Sequence, residues 1–486
     1  MTTKLEQLSE LASILCDDKK AASGVLEFSK QFKAAHLLQP FKNVKTKGYE
    51  INLLLKAMCI YRLIGKSIWF MQKADNSGIF AGDENGLYRL MNNTKMNWRQ
   101  LLMSFAKQFA SITKIKGDKD NSTKCFIIDD TTLSKTGKTI EGIGKVFNHV
   151  THRSELGFKL LLLGFWDGKS VIATDFSLHR EAGKKGNYGM TQKELKEQFK
   201  KHRDNKTPGL RRVKELDQEK PKIAISMIKR AVKNGMLASY VLLDSWFVGD
   251  KMIKSIRSIK NGAMHVIGMC KIDQRKFTLH GKEINSKGII ARCSRKYGKY
   301  SRKYKSQYFE VVCEYKKNKV KLVYIKYHNA QNWTLLLTTD LTIKFVRAME
   351  LYQIRWTIEV LFKECKQYLR LGACQNTDFD GQIADTTIVF ITHTVLSLQR
   401  RFVAYETMGE LFRETQQQLL ELNLWERILK IFLKLLHQLM VIMSIDLDET
   451  LGKILKEDYV SKQLIAMLNA LQDYEDNCAN NAKNAA

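Results

Sequence analysis

The sequence is short of several features that would have named a function directly. Nine cysteines are scattered without a Cys-x-x-Cys pair, so neither a disulfide framework nor a structural zinc site is expected, and a reducing interior fits. The longest apolar runs, such as residues 386–398, fall short of the roughly 20 residues a membrane-spanning helix needs. The opening MTTKLEQLSE lacks the charged-then-apolar layout of a signal peptide, and a cytoplasmic, nucleoid-associated protein is expected. Internal repeats, a Walker loop, a Gly-x-Gly-x-x-Gly turn and a Ser-His-Asp order are all missing. Acidic residues are also scarce. Lys and Arg outnumber Asp and Glu by 80 to 50, a formal net charge of +30. A small neutral ligand does not require that excess, whereas a polyanion does, so double-stranded DNA is the expected partner and a membrane surface is not.

What is present reads as several segments, since 486 residues exceed one hydrophobic core and 44% hydrophobic content excludes wholesale disorder. Residues 1–115 show helical apolar spacing at 51–71 and 98–112, with basic residues such as Lys42, Arg62 and Arg99 between. Apolar strands follow at 125–128, 158–166 and 170–176, then a polar, basic excursion over 179–222. A helix at 223–233, a strand at 240–243, a helix at 250–259 and a strand at 264–270 complete a mixed α/β sheet. Residues 271–339 read as strand-rich and helix-poor, with a hairpin turn at Lys316-Lys317-Asn318-Lys319. Thr342 reads as the N-cap of a long helix that contains 351–371 and that Gly372 closes, and further helices are expected at 385–402 and 411–443, before a disordered tail at 477–486.

Three carboxylates carry the chemical expectation. Asp130 and Asp244 each follow an apolar strand, at the sheet edge where α/β proteins bind ligands; each is also an ordinary turn or cap position. On a helix turning about 100° per residue, Tyr352, Arg355, Glu359 and Lys366 fall on one polar stripe with Lys363 beside it, while Leu351, Ile354, Ile358, Leu361 and Cys365 form the apolar face. Glu359 could simply pair with Arg355 and Lys363, four residues to either side, and the spacing alone does not decide. Together, three carboxylates suit Mg²⁺ or Mn²⁺, and a pair of such ions about 4 Å apart can activate water against a phosphodiester. In residues 292–305, Arg295, Lys296, Lys299, Arg302 and Lys303 interleave with tyrosines, a mixture suited to phosphate contact and base stacking, or to a solvated basic loop. His149, His152, His179 and His393 read as structural or surface residues, His179 as a bystander near the site.

These residues resemble a known family. Tyr352-x₂-Arg355-x₃-Glu359-x₆-Lys366 reproduces the Y-(2)-R-(3)-E-(6)-K signature of DDE transposases of bacterial insertion sequences, in the IS-four family. Asp129-Asp130-Thr131-Thr132-Leu133-Ser134 resembles that family's first aspartate motif, and Leu243-Asp244-Ser245-Trp246-Phe247 its second. The resemblance covers roughly residues 120–400. It implies an α/β fold with a ribonuclease-H-like mixed-sheet catalytic core, a β-rich insertion and flanking helical regions. The segments are a DNA-binding region at 1–115, core at 116–270, insertion at 271–339, core with the Glu helix at 340–402, and a C-terminal dimerisation region at 403–486. Asp130, Asp244 and Glu359 are then the catalytic metal ligands, and Tyr352, Arg355 and Lys366 contact the transposon end. The match favours Asp130 over Asp129, since only one of two neighbours along a strand faces a site. Trp333 resembles the tryptophan with which hairpin-forming relatives hold a flipped base. The implied activity is binding of terminal inverted repeats by a DNA-bound homodimer, metal-dependent cleavage, and joining of 3′-hydroxyl ends to target DNA. The alternatives are an inactive DNA-binding relic and a ribonuclease-H-like nuclease that cuts without joining.

Overall fold

The computed structural model describes residues 32–45, 47–69, 84–116, 122–149, 151–199, 201–328, 330–402 and 407–416. All of these fall within one compact unit, Met1–Leu419. The expected dimerisation region lies outside the described residues apart from 407–416, as do the rest of the helix expected at 411–443 and the tail at 477–486.

The N-terminal segment is helical, with α1 (Ile51–Ile64), α2 (Glu84–Met91) and α3 (Trp98–Lys116). Its basic residues do not all face outward. Arg62 pairs with the buried Asp385, and Arg99 reaches Asp175 at 2.8 Å and Glu215 at 2.5 Å.

A meander follows: β1 (Cys125–Ser134), β2 (Gly144–Asn148), β3 (Arg153–Trp166) and β4 (Val171–His179). The excursion predicted over 179–222 is more ordered than its composition suggests. It contains α4 (Gln192–Glu197) and α5 (Pro208–Glu215), and its Arg203 is buried on Glu141, Asp378 and Asp380. Ion pairing lets a polar, Gly-rich segment pack without an apolar face. Next come α6 (Lys220–Lys233), β5 (Tyr240–Leu243), α7 (Asp250–Arg257) and β6 (His265–Cys270), close to the expected elements. β1, β5 and β6 run parallel, while β3 is antiparallel to both β1 and β4. The described strands form a mixed α/β sheet consistent with a ribonuclease-H-like core.

The segment 271–339 extends that sheet. β6 pairs with β12 (Thr334–Thr338), which continues through β11 (Asn318–Tyr327) and β10 (Ser306–Tyr315) to β7 (Lys276–Leu279) and β8 (Lys282–Asn285), with β9 (Lys299–Ser301) on β10. The expected hairpin turn is there: Tyr315 pairs with Asn318, and Lys316 and Lys317 hold φ of 49° and 69°. The helix-poor expectation fails at one place, α8 (Ser286–Tyr297). It buries only Ser286, Ile289 and Cys293, too few apolar positions to stand out among its basic residues. The chain then forms α9 (Phe345–Gln353), α10 (Trp356–Gln367) and α11 (Phe379–Phe402), the last packed against α1, α3 and β4. Buried hydroxyls along α11 (Thr386, Thr387, Thr392, Thr394 and Ser397) each donate to the carbonyl four residues earlier, which makes a polar sequence compatible with burial. Among the described residues no helix is long and apolar enough to cross a membrane.

Candidate active site

The first four residues of β1 are buried and paired on both edges, to β3 and to β5, whose register ends at Ile128 with Leu243. β1 does not stop at its aspartates as the apolar run suggested. It continues to Ser134 against β3 alone. Asp129 and Asp130 thus sit where the parallel neighbour runs out, and Asp244 is the first residue past that neighbour's end. Two adjacent strand residues are expected on opposite faces, yet both aspartates line the same cleft. Asp129 Oδ1 folds back to accept from Asp130 N at 2.8 Å.

The helix predicted over 351–371 is two helices, α9 and α10. At the joint, Ile354, Arg355, Thr357 and Ile358 donate to carbonyls three residues earlier rather than four, at 3.0–3.2 Å. Such 3₁₀ tightening turns about 120° per residue, so a uniform 100° wheel drifts there. Thr342 does not cap this stretch; it donates to Asp340 Oδ1 at 2.7 Å, and Lys344 precedes α9 without a side-chain cap. Gly372 is not the cap either. Arg370 takes the left-handed conformation (φ 57°) and Leu371 N bonds Cys365 O at 3.0 Å, so the end is closed before Gly372.

Helix α10 buries Ile358, Leu361, Phe362 and Cys365. Ile358 rests over Gly164 of β3, where an added Cβ would lie 3.4 Å from its Cδ1, so the missing side chain sets how closely the Glu359 helix approaches the sheet. Lys366 Nζ fastens the far end, donating to Thr131 Oγ1 at 2.7 Å. Lys135 secures the following loop through Gly372 O at 2.7 Å and Cys374 O at 2.8 Å, and burial lowers its pKa to about 8.

The result is an open cleft of about 750 Å³ whose lining includes Asp129, Asp130, Asp244, Glu359, Lys363 and Lys366. Two cations already lie on the carboxylates. Arg355 donates to Asp129 Oδ2 at 2.8 Å and to Glu359 Oε1 at 2.7 Å, so the i,i+4 pair weighed from the sequence does form. Lys220 donates to Asp130 Oδ2 at 2.5 Å. Asp129 has its pKa pushed up to about 7: burial outweighs Arg355, and the neighbouring Asp130 and Asp244 charges push the same way.

Two family models match the chain, "DDE superfamily endonuclease" over residues 79–261 and "Transposase DDE domain" over residues 189–395. They support a DDE transposase family. The first match spans Asp130 and Asp244, the second Asp244 and Glu359. No curated protein matches the chain.

DDE transposase domains typically use divalent metal. The donor set fits that need, because the acidic lining of the cleft is carboxylate only, without thiol or imidazole, as hard divalent cations prefer. Among the described residues, however, no three acidic, His or Cys side chains are gathered as a metal cluster. Arg355 holds Asp129 and Glu359, and Lys220 holds Asp130.

The other residues singled out from the sequence divide into two sets. Arg355, Lys363 and Lys366 line the cleft; Tyr352 is half-buried with its ring 5.7 Å from the Arg355 guanidinium. Arg295 and Lys296 lie on α8, Lys299 on β9, and Arg302 and Lys303 just after it, all exposed and none lining the cleft. Lys303 pairs with Glu350 of α9 at 2.6 Å. Trp333 is half-buried, edge-on to Phe309 at 5.2 Å. Among the histidines, His179 is buried on Ser177 Oγ at 2.7 Å, and His393 on Glu364 at 2.9 Å. Lys220 escaped the sequence reading: nothing in its own segment marks it, and its partner lies 90 positions away.

Proposed function

We propose that this protein is the transposase of an insertion sequence of the IS-four type, binding the terminal inverted repeats of its element as a DNA-bound homodimer, cleaving the ends and joining the 3′-hydroxyls to target DNA. One observation carries the reading: Asp130 on β1, Asp244 just past β5 and Glu359 on α10 line one solvent-open cleft flanked by Lys363 and Lys366. A divalent cation, Mg²⁺ or Mn²⁺, held by those carboxylates would supply an activated water and stabilise the leaving oxygen of a phosphodiester.

The chain's own residues do the rest. Asp130 and Asp244 are fixed by the sheet, and Glu359 by a helix docked through Ile358 and Lys366. Lys363, Lys366 and Arg355 provide positive charge where a phosphate would enter. The exposed cations of α8 and β9, beside the exposed Tyr297 and Tyr300, suit the flanking DNA, and the overall charge of +30 suits a polyanion. The N-terminal helices would add end recognition, with residues 116–270 and 340–402 as the catalytic core, 271–339 as the insertion and 403–486 for dimerisation.

A strand-transfer assay with the element's own ends, target plasmid and Mg²⁺ tests this. Joined products are the expected result. Cleavage without joining would point to a nuclease, and end binding without cleavage to an inactive relic.

A further inference from the structure

Lys220 stands at the start of α6, and its ammonium touches two things at once. It donates to Asp130 Oδ2 at 2.5 Å and lies 4.5 Å from the ring centroid of Trp246, an exposed residue two positions beyond Asp244. One cation therefore joins the strand of the first aspartate to the turn of the second. The side chain is 16% exposed, and its Asp130 partner lines the cleft.

The pairing is out of keeping with a site whose carboxylates serve a divalent cation. An ammonium on Asp130 Oδ2 competes for an oxygen the ion would need, and two positive charges on one carboxylate repel. An ammonium released there keeps its hold on the aromatic face of Trp246 and requires a new anion. In a cleft that receives DNA, that anion is a backbone phosphate.

We propose that Lys220 is a phosphate-binding residue at the border of the cleft, held in reserve on Asp130, and that its exchange of Asp130 for a DNA phosphate makes divalent-cation binding and DNA binding reinforce each other. This rests on the transposase reading above. Because coupling between two ligands is reciprocal, the factor by which DNA tightens metal binding equals the factor by which metal tightens DNA binding. Lys220 positions rather than reacts: it frees Asp130 when phosphate arrives and covers it when phosphate is absent.

The test is titration of the full chain with Mn²⁺, free ion followed by electron paramagnetic resonance, with and without a DNA duplex. For the wild type, duplex is expected to tighten Mn²⁺ binding by about tenfold. Lys220→Met keeps the packed stem and loses the charge. It is expected to bind Mn²⁺ more tightly than wild type without DNA and to show a coupling factor several times smaller, while Lys220→Arg retains most of the coupling. Lys220→Met with the wild-type coupling factor overturns the proposal and leaves the transposase reading standing. A wild-type chain that binds neither duplex nor Mn²⁺ overturns both.

Discussion

Lys366 Nζ donates to Thr131 Oγ1 at 2.7 Å, joining the helix that carries Glu359 to the strand that carries Asp130. The contact is neutral at one end, so the ammonium keeps its charge for a second partner, and it lies on the lip of the carboxylate cleft. Lys366→Ala is expected to weaken DNA binding in a salt-dependent way, lowering the slope of log affinity against log salt by about one. Fluorescence anisotropy across a salt titration measures it. Unchanged affinity and slope would take Lys366 off the DNA surface.

His179 gives a pH dependence of known sign. Burial, aided by the Lys220 ammonium, lowers its pKa from 6.5 to about 4. The unfolded chain binds the proton near 6.5 and the folded chain only near 4, so the stability of the neutral ring is fully present above 6.5 and is lost as pH falls through about 4. The loss amounts to roughly 3 kcal/mol across that window. His179→Gln removes the titration. Urea unfolding of both proteins at pH 7 and pH 4.5 should show the wild type losing more stability than the variant. Parallel losses would contradict the assignment.

Arg203 is the hub of an ionic cluster, with its side chain only 2% exposed. It reaches Glu141, Asp378 at 3.3 Å and Asp380 at 2.9 Å, linking the 179–222 excursion to the start of α11. Arg203→Ala strands Glu141 and leaves Asp378 and Asp380 with Lys201 as their shared cation, and a loss of about 3 kcal/mol is expected. Chemical denaturation checks it; a change below about 1 kcal/mol would mean that the acids relax into water.

Much of the architecture was legible in the sequence because it is encoded locally. The strand 240–243 and the hairpin at Lys316-Lys317 are short apolar or turn patterns that neighbours along the chain decide. The aspartates could be placed from the strand ends and the family motifs. What escaped is set by contacts between distant residues. Lys220 meets Asp130 across 90 positions, and Arg355 meets Asp129 across 226. The joint at Ile354 and Arg355 carries neither Gly nor Pro, so nothing local announces it, and both residues keep right-handed backbone angles. The missed helix α8 did leave one sign: Asn285 caps it, accepting from Gly288 N at 2.9 Å.

The central claim is that Asp130, Asp244 and Glu359 act together on DNA, and Asp244→Asn tests it most directly. The substitution keeps the size of a half-buried side chain past β5 and removes one negative charge from the cleft. Mg²⁺-dependent cleavage of purified transposon ends by the variant should fall by orders of magnitude, while its affinity for those ends stays near wild type. Cleavage at the wild-type rate would contradict the account.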